Sequence, residues 1–140
     1  MSQFTSFISV RIPTKEVNKF VLLDDLVYER WYEWSGNYIV VKDWFETDFA
    51  SLPFIARAFF MQWDYRWILW SVIHDALWSN AKTLRDYQDA NDIFYEAIQV
   101  TWTPKWLAVI FYVSVSISKY YYFLKRKLQK RKILYNNLNI

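Results

Sequence analysis

Residues 37–53, NYIVVKDWFETDFASLP, are where the chain changes its period. On their N-terminal side the apolar runs are short and built from β-branched and aromatic residues: Phe4 to Ile12, Phe20 to Trp34, and Asn37 to Trp44. Ser35-Gly36-Asn37 between the last two is a hairpin turn signal. After Pro53 the apolar residues recur at three- and four-residue steps, the helical spacing. Phe54 to Phe60 predicts a short helix. Asp64 is placed to cap a second, running to about Ser79 with Trp67, Trp70, Ser71, His74 and Trp78 along its stripe. Thr83 is a suitable N-cap for a third, striped by Leu84, Tyr87, Asn91, Phe94, Tyr95 and Ile98. Thr103-Pro104 opens the last helix, a cap followed by proline at the first helical position. No Gly or Pro stops that helix before the end of the chain. Strands followed by helices make an α+β fold: a small N-terminal antiparallel sheet of hairpins, then a helical half of three to four helices, the last long and basic.

The 140 residues are one domain's worth of chain, enough to bury a core without staples. The expected division is a single domain over 1–118, with 119–140 as a basic, aromatic extension of the final helix. With no cysteine there is no disulfide, thiolate metal cluster or cysteine nucleophile. With one glycine, Gly36, there is no phosphate cradle of successive backbone amides, which argues against ATP, GTP and NAD chemistry. The aromatic content of 22%, with nine tryptophans, exceeds what one small core needs and points to rings that meet a partner. The net charge of +3 conceals a split. Up to Glu96 nine basic residues face fourteen acidic ones, a net of −5; beyond it come eight basic residues and no acid, a net of +8. Such asymmetry predicts an acidic or polyanionic partner for the C-terminal segment.

Three short segments carry the candidate chemistry: Glu46-Thr47-Asp48-Phe49-Ala50-Ser51-Leu52-Pro53, Val72-Ile73-His74-Asp75-Ala76-Leu77-Trp78, and Asp89-Ala90-Asn91-Asp92-Ile93-Phe94. In this order they resemble the bacterial and phage family of domain of unknown function 1353, whose segments read TDxAS-P, HDxLY and ADxxF. The resemblance covers roughly residues 20 to 115. It implies a phage-encoded protein and leaves activity to the residues themselves. The chain departs from the family pattern at two places, with Trp44 where a glycine usually precedes the first segment and Asn91 where the third has aspartate.

His74, the only histidine, is the candidate general base, with Asp75 beside it and Asn91 placed to accept from the imidazole through its amide oxygen. Neighbouring helical residues point about 100° apart, so His74 and Asp75 are not a bonded pair but are expected to address one site at the inner edge of their helix. The HDxx-aromatic segment is also similar to the His-Asp core of secreted and prokaryotic phospholipases. That similarity implies His74 as base, Asp75 as a calcium ligand, Trp78 in place of the usual tyrosine and Asn91 in place of the bracing aspartate. Asp48 is the second calcium candidate, and calcium is the one cofactor this reading brings; otherwise none is expected. The competing expectation is structural: Thr47, Asp48, Ser51, His74 and Asp75 satisfy one another and the backbone of the TDFASLP turn, with His74 and Asp48 within a few ångströms. Asp86, Asp89 and Asp92 read as a solvated helix face.

The final helix carries the partner expectation. Trp106, Phe111, Tyr112 and Tyr120 offer ring area, and Lys125, Arg126, Lys127, Lys130, Arg131 and Lys132 offer charge. A protein partner or a second copy is expected first, with the protein not a free monomer in its working state. Non-specific nucleic-acid binding through the basic run is a weaker expectation. Thirteen uncharged residues, Trp106 to Ser118, extend only about 20 Å, short of the roughly 30 Å of hydrocarbon, so a helix buried in the domain or against partners is expected ahead of a spanning one. Met1 to Thr5 carries no basic n-region and Arg11 interrupts the first apolar stretch, so no export signal is read. The sequence therefore predicts a phage-encoded accessory or assembly protein of virion or host cytoplasm that docks, plausibly on a virion component, through its final helix; the alternative is a small phospholipase-like hydrolase.

Overall fold

The computed structural model describes residues 2–5, 9–11, 19–31, 35–47 and 66–138, and within the helical half the side chains of 68–130. Among the described residues six short strands come first: β1 (Gln3–Phe4), β2 (Val10–Arg11), β3 (Phe20–Leu22), β4 (Leu26–Glu29), β5 (Tyr38–Val41) and β6 (Glu46–Thr47). Three helices follow among these residues: α1 (Arg66–Asn80), α2 (Leu84–Val100) and α3 (Lys105–Leu138). The fold is α+β. The expected helix over Phe54 to Phe60 and the Asp64 cap lie outside the described residues.

The strands form two antiparallel three-stranded sheets, ordered β1-β4-β5 and β2-β3-β6. The apolar run from Phe20 that reads as one strand is thus broken into β3 and β4, which belong to different sheets. The break falls at Asp24-Asp25. The Asp25 carboxylate accepts from the Asp43 amide at 2.9 Å and from Lys42 Nζ at 2.6 Å, pinning the bend to the exit of β5. The expected hairpin joins β4 and β5, pairing Leu26 with Val41 and Glu29 with Tyr38. Its Gly36 has φ +71°, a left-handed backbone that glycine adopts without steric cost. Three tryptophans share that region, Trp31 (φ 74°), Trp44 (φ 64°) and Trp102 (φ 60°). Trp44 is the residue that departs from the glycine of the resembled pattern, and its left-handed backbone is one that glycine adopts without steric cost. Each of these side chains costs the fold on the order of 1 kcal/mol.

Glu96 ties the strands to α2. Its carboxylate accepts from Ser2 Oγ (2.5 Å), Tyr28 Oη (3.0 Å) and the Arg30 guanidinium (3.1 and 3.3 Å). Burial pushes the Glu96 carboxyl up, but the hydrogen bonds from Ser2, Arg30 and Tyr28 outweigh it and hold it below the ordinary range. The apolar centre lies where the helices meet. Trp70 of α1 packs edge-on to Phe94 of α2 and against Phe111 of α3, with Leu22, Leu26 and Ile73 buried alongside.

Helix α2 starts on the expected cap. Thr83 Oγ1 accepts from the Asp86 amide at 3.1 Å, and the Asp86 carboxylate returns to the Thr83 amide at 2.8 Å, closing a capping box. Helix α3 starts beside Pro104, whose carbonyl accepts from Leu107 and Ala108. At 34 residues it extends about 51 Å, twice the length of α2, so its C-terminal part runs past the end of the helical layer.

Candidate functional site

The three motif segments close on one another, and each junction is made by a side chain the sequence singled out. Thr47 at the end of β6 donates to the Asp75 carboxylate on α1 at 2.5 Å. One residue back on α1, His74 Nε2 lies 3.0 Å from Asn91 Oδ1 on α2. An amide oxygen only accepts, so Nε2 carries the proton. The same oxygen accepts from Trp78 Nε1 at 3.0 Å, which fixes the amide's orientation because indole only donates. His74 and Asp75 therefore point to different partners. The sequence expectation that they address one site does not hold, because the 100° between them sends the imidazole inward to α2 and the carboxylate sideways to β6. Asp48 and Ser51 lie outside the described residues, and with them the expected contact between His74 and Asp48.

His74 is 0% exposed and packs at a 45° tilt against two rings, 4.8 Å from Trp78 and 4.6 Å from Phe94 between centroids. Burial lowers its pKa to about 4, and the hydrogen bond to Asn91 offsets only part of that effect. The imidazole is thus neutral at pH 7, with Nδ1 lacking a hydrogen-bond partner among the described residues. General-base chemistry needs that nitrogen within reach of water or substrate, and it is buried. Asp75, in contrast, is half-buried at the wall of an open cleft of about 370 Å³, opposite Lys19, Glu46, Tyr87, Tyr122 and Arg126. Lys19 and Glu46 are within 3.6 Å of each other across it. Among the described residues no three of His, Asp and Glu are grouped so as to hold a metal ion.

The second candidate region is α3, whose two sides differ in what they touch. Ala108, Phe111 and Val115 are buried against the body. Tyr112 donates to Asp92 at 2.7 Å, Lys119 bonds Gln88, and Tyr122 packs edge-on to Trp78. Arg126 reaches back to the C-terminal end of α1, donating to the carbonyls of Ala81 (2.8 Å) and Ser79 (3.2 Å), where the helix dipole favours a cation. Of the residues expected to meet a partner, Phe111 and Tyr112 thus face the protein's own body. Trp106 and Tyr120 are exposed, as are Lys125, Lys127 and Lys130, and the side chains of Arg131 and Lys132 lie outside the described ones.

The opposite side of α3 is apolar and open. Trp106, Ile110, Val113, Ile117, Tyr120, Leu124 and Leu128 succeed one another at three- and four-residue steps, and all are exposed, Ile117 by 69%. At 1.5 Å per residue the stripe is about 33 Å long. Sequence reasoning named Trp106 and Tyr120 of this stripe as partner-facing but not the aliphatic residues between and beyond them. The packing stripe of Ala108, Phe111 and Val115 lies half a turn away. Lys105–Lys130 is the one segment among the described residues long and apolar enough to cross a membrane, yet only 17% of its most apolar window is buried. Sequence reasoning also passed over Glu96 and Arg30, whose pairing needs strand and helix brought together across 66 positions.

The profile of the family described as "Protein of unknown function (DUF1353)" matches residues 20–115. No curated protein and no solved structure matches the chain.

Proposed function

Since the chain belongs to the DUF1353 family, we propose that it acts as a docking protein, with the outer face of α3 and its basic extension seating on a surface supplied by something else. The single observation that carries this reading is the exposed stripe from Trp106 to Leu128, continuous over about 33 Å on a helix whose other side is already packed. Contiguous apolar surface of that extent, bordered by charge, marks interaction sites in soluble proteins. The body then serves as the rigid mount. His74, Asn91, Trp78, Asp75 and Thr47 join β6, α1 and α2, and Arg126 fastens α3 to the end of α1. The resemblance of the motif segments to a bacterial and phage family supports reading it as a phage-encoded accessory protein, for which a virion component is one natural seat. The sealed, neutral His74 weighs against the hydrolase reading and its calcium.

The test is fractionation of producing cells. The intact chain should be recovered with a particulate fraction, and Ile117→Glu with Leu124→Glu should move it to the soluble one without lowering Tm. An intact chain that is fully soluble and monomeric at every ionic strength would contradict the reading.

A further inference from the structure

Resting on the docking reading, we infer that the surface α3 seats on is an anionic lipid bilayer, with the helix lying in the plane of the interface rather than crossing it. Four observations lead there.

The first is shape. The stripe is the crest of one continuous helix, so its exposed apolar side chains protrude; a bilayer accepts such a ridge without a matching groove, burying it about 5–10 Å deep. The second is the placement of rings. Trp106 lies at one end of the stripe, four residues after Trp102, which is 81% exposed, and Tyr120 and Tyr121 lie toward the other. Indole and phenol are the side chains best suited to headgroup depth. Trp102 also holds a left-handed backbone just past the end of α2, a position that favours glycine, so the fold keeps an indole there at a cost.

The third observation is charge. Lys125 and Lys127 follow Leu124 by about 100° and 300° of helical rotation and so flank the stripe on its two sides. No acidic residue exists anywhere in α3. A second copy is disfavoured for that reason: parallel pairing sets the basic ends against each other, and antiparallel pairing sets them against Lys105. A surface of anionic headgroups meets these cations with opposite charge, worth about 1 kcal/mol for each Lys or Arg near it. The fourth observation fixes the orientation. The inner face is held by Asp92 and Gln88 of α2 and by the end of α1 through Arg126. Crossing would carry the exposed carboxylates Asp86, Asp89 and Asp92 toward hydrocarbon, at roughly 2.5–3.5 kcal/mol each. A helix in the plane leaves them in water.

The experiment is flotation of the purified full-length chain with vesicles of phosphatidylcholine alone and of phosphatidylcholine with 30% phosphatidylglycerol, roughly a cytoplasmic-leaflet charge density. Intact protein should float with the anionic vesicles at least tenfold more than with the neutral ones, less so at high salt, and be released by alkaline carbonate. Ile117→Glu with Leu124→Glu should abolish flotation with Tm unchanged, and Lys125→Gln with Lys127→Gln should remove most of the preference for anionic lipid. Three results would overturn the inference. Protein that stays with neither vesicle while still sedimenting with a cell particulate seats on a protein or nucleic acid, which leaves the docking reading standing. A stripe-dependent dimer in solution would make a second copy the occupant. Resistance to carbonate would mean that the helix spans.

Discussion

The surroundings of His74 and the outer face of α3 invert the usual placement of side chains. The first region holds the residues that look most like chemistry, a histidine and its asparagine acceptor, and buries both completely, with rings packed against the imidazole. The second holds residues that look most like core, Ile110, Val113, Ile117 and Leu124, and leaves them open. A buried polar knot restricts how elements can be joined, because each donor must find its acceptor, and an open apolar ridge offers free energy to whatever covers it. The residues that resemble a motif serve to join β6, α1 and α2, and on the proposed docking reading the aliphatic residues of the ridge make the contact.

The largest expected effect comes from breaking the knot. His74→Ala removes a ring packed between Trp78 and Phe94 and leaves Asn91 with one donor fewer, which should cost about 3–5 kcal/mol in urea unfolding. Attachment through α3 should survive wherever the variant is folded. Acid should reproduce part of this loss. The unfolded imidazole titrates near 6.5 and the folded one at about 4, so the unfolded state binds the extra proton between those values. This contribution is complete above about pH 6.5 and falls by about 3 kcal/mol as pH drops to 4. Because the chain has one histidine, its imidazole resonances report the titration without ambiguity. Asn91→Asp, which restores the family's aspartate, should move that titration upward, since a carboxylate favours the imidazolium.

Smaller effects sharpen the other side of the comparison. Trp102→Gly relieves a left-handed tryptophan and should raise stability by about 1 kcal/mol in thermal melts, while weakening attachment. Opposite signs in the two assays would separate a residue kept for contact from one kept for folding. Arg126→Ala removes the two bonds to the end of α1 and should cost about 1 kcal/mol by the same melts. Ile117→Ser, on the open ridge, should change stability by less than 0.5 kcal/mol.

Much of this was legible in the sequence where the cause is local. The Thr83 cap, the Gly36 turn, the proline before α3 and the helical stripe around His74 all depend on residues within a few positions of one another. Asn91 as the imidazole's acceptor was also readable, since it lies on the apolar stripe of its helix. What escaped was set by tertiary geometry. The division of Phe20 to Trp34 into strands of two sheets depends on Asp25 meeting Lys42 and the Asp43 amide across the bend. The divergence of His74 and Asp75 depends on where β6 and α2 lie around α1. The exposure of the α3 ridge depends on α2 covering one side only, so a helix apolar on both sides reads the same whether one side or both are covered.

The central claim is that the protein acts through the outer face of α3 and not through the cleft beside Asp75. Hydroxyl-radical footprinting of the chain, free and attached, tests it most directly. The account predicts strong protection of Trp106, Ile117, Tyr120 and Leu124 on attachment, with Trp78 and Tyr122 in the cleft unchanged. Protection confined to Trp78 and Tyr122, with the ridge equally reactive in both states, would contradict it.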